Sequence, residues 1–102
     1  MLRSFSYAAH ASLINYTTRR SEDVARLDPW AQLWEHSVAA EFLRAYRNTA
    51  QGAEFLPLTS ADLRRLLDIF LLDKALYEVL YELNSRPTWV RIPLLGILSL
   101  QQ

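Results

Sequence analysis

Lys74, Tyr77, Glu78 and Tyr81 fall on one face of a helix at about 100° per residue, and their types could hold a sugar. A tyrosine offers its ring to the C–H face of a pyranose and its hydroxyl for hydrogen bonds. Lysine adds a donor and glutamate an acceptor. The same four residues also make an ordinary solvated face. Lys74 and Glu78 would then form an i, i+4 pair contributing roughly 0.2–0.5 kcal/mol, with the tyrosines half-buried against the next element. The spacing fits both readings. Leu76, Val79, Leu80 and Leu83 lie on the opposite side and are expected to meet the core.

Other chemistry-bearing residues point to less. His10 and His36 are the only histidines, and neither has a second ligand at metal-binding spacing; Glu35-His36 lacks the partner histidine of a zinc helix. Both are expected at the surface or in a hydrogen bond. The serines have no histidine and acid arranged for nucleophilic attack. Asp68 and Asp73 read as helix-surface charges paired with Arg64, Arg65 or Lys74, and Trp30, Trp34 and Trp89, each among apolar neighbours, as core residues.

The elements that position these residues are expected to be helices. Two glycines, four prolines and few β-branched residues leave little material for strands. A first helix spans about residues 2–18, with Leu2, Phe5, Ala9, Ser12, Leu13 and Tyr16 at helical spacing. The pattern is already under way at Met1, so the chain is expected to begin inside an element of a longer protein. After a polar connection over 19–27, Asp28-Pro29 is expected to open a second helix as N-cap and first helical residue. Trp30, Leu33, Trp34, Ser37, Val38, Phe42 and Tyr46 form its apolar stripe, and Gly52 ends it in a left-handed C′ position. Thr59 to Asp62 reads as a capping box for a third helix running to about Ser85, apolar almost all round over 66–72 and therefore expected to be buried. Pro87 stops it. Residues 86–92 are expected to be extended, and Pro93 to start a closing helix over 94–100.

Composition excludes several classes of function. The chain has 102 residues, half of them apolar, about one small domain. A net charge of zero argues against nucleic acid and against a polybasic membrane anchor. Without cysteine there is neither a disulfide framework nor a thiolate metal site. The opening residues carry no signal-peptide pattern, and the apolar runs fall short of the roughly 20 residues needed to span a bilayer. A cytoplasmic location is expected.

The residues also resemble a known family. Lys74-Ala75-Leu76-Tyr77-Glu78, then Tyr81-Glu82-Leu83-Asn84, Arg86-Pro87, Trp89 and Ile92-Pro93-Leu94 resemble the C-terminal end of bacterial maltokinases, which also occur fused behind trehalose synthase. Residues 1–9 resemble the helix that follows the metal-binding aspartate segment of those enzymes. Taken with the 30–46 helix, the similarity covers essentially the whole chain.

The resemblance implies a bilobed parent similar to aminoglycoside phosphotransferases and protein kinases. Such a parent transfers the γ-phosphoryl of ATP, with magnesium, to maltose, making maltose 1-phosphate for glucan synthesis. This chain would be one helical subdomain, residues 1–102: an all-α, small orthogonal bundle of about four helices resembling part of the C-lobe. By position, Lys74, Tyr77 and Tyr81 would be sugar contacts, Glu78 a weaker one, and Arg86 structural. Segments like His-Gly-Asp and Asp-Phe-Glu-Gly, which supply the base and the magnesium ligands, do not occur here. The chain is therefore expected to hold no cofactor, to lack catalysis alone, and to need the remaining kinase lobe or a fused trehalose synthase. The rival reading is a non-catalytic helical interaction or dimerisation module. Either way a leftover apolar patch is expected to make the isolated chain self-associate.

Overall fold

The computed structural model describes residues 1–18 and 20–101, and every regular element among them is helical. The helices are α1 (Leu2–Tyr16), α2 (Val24–Thr49), α3 (Ser60–Ser85) and α4 (Arg91–Ser99). Short 3-10 turns occupy Ser21–Asp23 and Pro87–Trp89. The chain divides into two compact units, Met1–Glu41 and Phe42–Gln102, and α2 contributes to both. The all-α expectation holds.

In the first unit, α1 starts at Met1 without a side-chain cap. At its other end Thr17 closes the helix twice over, its amide and its hydroxyl both donating to the Leu13 carbonyl, at 3.0 and 2.7 Å. The buried face is not the apolar stripe expected. Ser6, His10, Leu13 and Thr17 point inward, while Tyr16 and Ser12 are exposed. The reason is electrostatic: this face meets carboxylates of α2, and a polar seam with its charges matched is as admissible as a greasy one.

The expected start of α2 is also corrected. Asp28-Pro29 does not open the helix. It begins at Val24, behind the 3-10 turn, and runs through Pro29. Pro29 forfeits one amide donor to the carbonyl four residues earlier. Asp28, released from capping, accepts from Gln32 Nε2 at 2.8 Å. No residue of α2 is buried, and Trp30 and Trp34 are exposed, Trp30 by 68%. The expectation that these tryptophans are core fails.

In the second unit local signals predict well. Gly52 follows α2 at φ +82°, the left-handed conformation that favours glycine. Thr59 caps α3, its hydroxyl accepting from the Asp62 amide at 3.1 Å. Arg47 Nη2 donates to Ser60 Oγ at 3.1 Å, linking the end of α2 to the start of α3. Pro87 ends α3 as expected, with Arg86 held extended before it at φ −141°, ψ 74°. Residues 87–92 are not extended, however. They form the Pro87–Trp89 turn and the first residues of α4, which starts at Arg91 and places Pro93 inside its first turn.

The side of α3 that packs is the largest departure. α4 and the turn before it pack on α3, and the buried residues of α3 are Ala75, Glu78 and Glu82, with Ile92 and Pro93 buried in α4. Leu76, Leu80 and Leu83, expected in the core, are exposed, Leu80 by 65%. Leu66, Ile69, Phe70 and Leu72 are exposed as well, so the all-round apolar middle of α3 is not a buried centre. Ala75, with only a methyl group, leaves room for α4. Glu82 is tolerated there because its charge is matched, as described next.

Candidate functional site

The carboxylate of Glu82 is wholly buried. Burying a charge without a partner is prohibitively costly, and one turn later Arg86 supplies the partner in bidentate form. Arg86 Nε donates to Glu82 Oε2 at 3.2 Å and Nη2 to Oε1 at 2.7 Å. The Arg86 backbone amide also donates to the Glu82 carbonyl at 2.8 Å. A cation at the C-terminal end of α3 suits the helix dipole.

The guanidinium also meets two aromatic rings. It lies over the Trp89 ring at 4.0 Å from the centroid and over the Tyr81 ring at 5.7 Å, both within cation–π range. Trp89 reaches this position because Pro87 stops α3 and the 3-10 turn folds the chain back beside it. Trp89 is half-buried against a cation rather than enclosed in an apolar core.

One turn earlier a second pairing repeats the theme. The Lys74 ammonium lies 5.1 Å from the centroid of Tyr77. Lys74, Tyr77 and Tyr81 thus share one exposed face of α3, Tyr77 exposed by 61% and Tyr81 by 49%. Each ring has a cation over one side, and the site can offer a ligand two phenol hydroxyls, the remaining ring surface and an ammonium. Glu78, the fourth expected contact, lies apart: it is turned toward the buried side of α3. Lying about 60° from Ala75 and about 40° from Glu82 on the helical wheel, it belongs to the packed face.

The structure also forms a polar cluster that sequence spacing concealed. In the first unit His10 is buried between two carboxylates of α2. Its Nε2 lies 3.0 Å from Glu35 Oε2, and its Nδ1 lies 3.9 Å from Asp28 Oδ1. An ionised carboxylate only accepts, so Nε2–H donates to Glu35. Burial pushes the Glu35 carboxyl up, but the hydrogen bond and charge of His10, the hydroxyl of Ser6 and the charge of Arg3 outweigh it. The group is left below its usual 4.5. Twenty-five residues separate His10 from Glu35; the readable signal was only that His10 sits four residues after Ser6. His36, by contrast, is exposed.

Among the described residues no three His, Asp or Glu side chains are grouped to hold a metal ion, and no helix is long and apolar enough to cross a membrane. Arg65 pairs with Asp62 at 3.8 Å rather than with Asp68. No protein-family model and no solved structure matches the chain, so the likeness to a kinase C-lobe rests on the residues quoted above.

Proposed function

We propose that this chain is the C-terminal helical part of a maltokinase, or of a maltokinase fused to trehalose synthase, and that it contributes a wall of the sugar pocket. One observation carries the reading: Lys74, Tyr77 and Tyr81 stand together on an exposed face of α3, with cations over both rings. That face suits a disaccharide, whose pyranose rings offer C–H surface to the phenols and hydroxyls to Lys74. Maltose is the sugar that the sequence resemblance implies. Glu78, on the packed side, supports the face from beneath instead of contacting the sugar.

ATP and magnesium enter only through the parent. This sequence holds neither of the segments that supply the base and the magnesium ligands in the resembled family, and only two glycines for a loop over the phosphates. No phosphoryl-transfer step is assigned to this chain. Its part is to bind and orient the sugar hydroxyl for a cytoplasmic enzyme whose base and metal ligands lie in the other segments.

The test has two stages. The reading frame upstream of Met1 is expected to encode segments resembling His-Gly-Asp and Asp-Phe-Glu-Gly; an unrelated upstream sequence sinks the kinase reading. In the enzyme so defined, Tyr77→Ala and Tyr81→Ala should each raise KM for maltose more than they lower kcat. Calorimetry on the chain alone should show negligible maltose affinity, because half the pocket is absent.

A second reading is favoured by a different observation, the exposed Leu76, Leu80 and Leu83 on the far side of α3. It makes the chain a non-catalytic interaction or dimerisation module. In the kinase reading the same leucines cover the remaining lobe. Sedimentation separates the two: a discrete dimer that persists when the kinase segments are restored favours the module.

A further inference from the structure

Arg86 is poised to do more than neutralise Glu82. A lysine at this position would match the buried charge equally well as a point cation, whereas only a planar guanidinium can bind a carboxylate with two donors and lie flat on aromatic rings. Here it makes the two-donor contact and lies over two rings. Two donors go to Glu82, one ring surface is Trp89 at 4.0 Å, and the other is Tyr81 at 5.7 Å. Glu82 is wholly buried and cannot move without opening the α3–α4 seam. Trp89 is fixed by the 3-10 turn that Pro87 enforces. The guanidinium is thereby held from two rigid sides, and Tyr81, half exposed, is a neighbour with freedom to lose.

We propose that Arg86 is a positioning residue for Tyr81. Clamped by Glu82 and Trp89, its guanidinium holds the Tyr81 ring in the orientation that presents it to a sugar. This inference rests on the sugar-pocket reading for its consequence, but not for its geometry. A phenol ring left free samples several rotamers, and ordering it on binding costs affinity. A ring already parked against a fixed cation avoids that cost. The effect should therefore appear in sugar affinity, with little change in the chemical step.

The decisive variant is Arg86→Lys, which keeps a cation beside Glu82 and removes the guanidinium that lies over the rings. Trp89→Phe is the second variant, chosen because it preserves a ring beneath the guanidinium and does not touch the buried carboxylate. On the 102-residue chain, aromatic NMR of the wild type should show contacts from the Arg86 side chain to the rings of Tyr81 and Trp89, and a single Tyr81 rotamer. In Arg86→Lys the Tyr81 ring should average between rotamers while the amide shifts of α4 stay in place. An unchanged Tyr81 rotamer in that variant overturns the proposal, whatever the sugar reading does.

In the kinase containing this chain, Arg86→Lys should raise KM for maltose about tenfold with kcat within about twofold, and Trp89→Phe should fall between it and wild type. If Tyr81→Ala raises KM and Arg86→Lys does not, the positioning role is wrong and the sugar face stands. If Tyr81→Ala leaves KM unchanged, the sugar reading fails, and the NMR result alone decides whether Arg86 orders the ring. Equal losses of kcat and thermal midpoint in Arg86→Lys, with KM unmoved, would reduce Arg86 to a purely structural ion pair.

Discussion

Each unit holds a carboxylate against a neighbouring helix, and each matches it differently. In the second unit Glu82 is wholly enclosed and meets a guanidinium with two hydrogen bonds, from a residue four positions along the same helix. In the first unit Glu35 keeps about a fifth of its surface and meets an imidazole donated across from another helix. The guanidinium offers Glu82 a planar two-donor fork, whereas the imidazole offers Glu35 a single donor. The Glu82 pair is thus a fixed fitting that shapes the end of α3. The Glu35 cluster is a cross-brace whose strength depends on solution conditions. The candidate ligand face is built on the fixed one.

Removing a partner from the fixed pair should have the largest effect. Arg86→Ala strands a buried charge at Glu82 and should cost about 3–5 kcal/mol in urea unfolding. Trp89 lies in this unit, and Trp30 and Trp34 lie in the other, so the fluorescence of Trp89 in a Trp30→Phe, Trp34→Phe background reports on the second unit alone. A loss under about 1 kcal/mol would mean that the pair is not enclosed.

Breaking the cross-brace should cost less. His10→Ala removes one charge-assisted hydrogen bond from a partly solvated carboxylate, and about 2 kcal/mol is expected. Hydrogen exchange should show the loss in the amides of α1, leaving those of α4 unaffected. Equal deprotection of α4 would contradict the division of the chain into two units.

These two sites differ in how much of them the sequence disclosed. Thr59, Gly52 and Pro87 were readable because a cap, a left-handed turn and a helix stop are decided within a few residues. The Glu82–Arg86 pair is equally local, four residues apart on one helix, but it was not among the expectations. Which side of α3 packs was not readable, because it depends on α4: a small Ala75 and a matched Glu82 won over the leucines. The Asp28-Pro29 start was overridden when the preceding 3-10 turn began the helix earlier. The His10 cluster required two helices to meet, and no spacing along one of them contains that information. Of the site residues, Lys74, Tyr77 and Tyr81 stand where periodicity put them, and Glu78 does not.

The pH dependence of the cross-brace follows from the same cluster. Glu35 titrates below its usual 4.5 in the folded chain, so the unfolded chain binds the proton more readily. Its contribution to stability is full above that value and is lost as the pH falls through the lower folded one. Unfolding monitored between pH 6 and pH 3 should therefore show a decline that Glu35→Gln flattens. The variant should be less stable than wild type at pH 6 and nearly equal to it at pH 3. A decline unchanged in Glu35→Gln would assign the acid sensitivity to other carboxyls.

The smallest expected effect tests the side of α3 that neither pair touches. Leu80 is exposed opposite the Glu82 face, so Leu80→Gln removes little packed surface and should change stability by less than about 0.5 kcal/mol. Were the leucine side the true core, as the helical pattern alone suggests, the same substitution would leave a cavity and bury an amide, and the loss would reach about 2–5 kcal/mol. The contrast is wide enough for one denaturation curve to decide. A small effect accompanied by reduced self-association would further show that the leucines form a sticky outer surface, because a glutamine there weakens apolar contact between chains without disturbing the α3–α4 seam. A large effect would instead move Glu78 and Glu82 to the outside, and with them the support beneath Tyr77 and Tyr81.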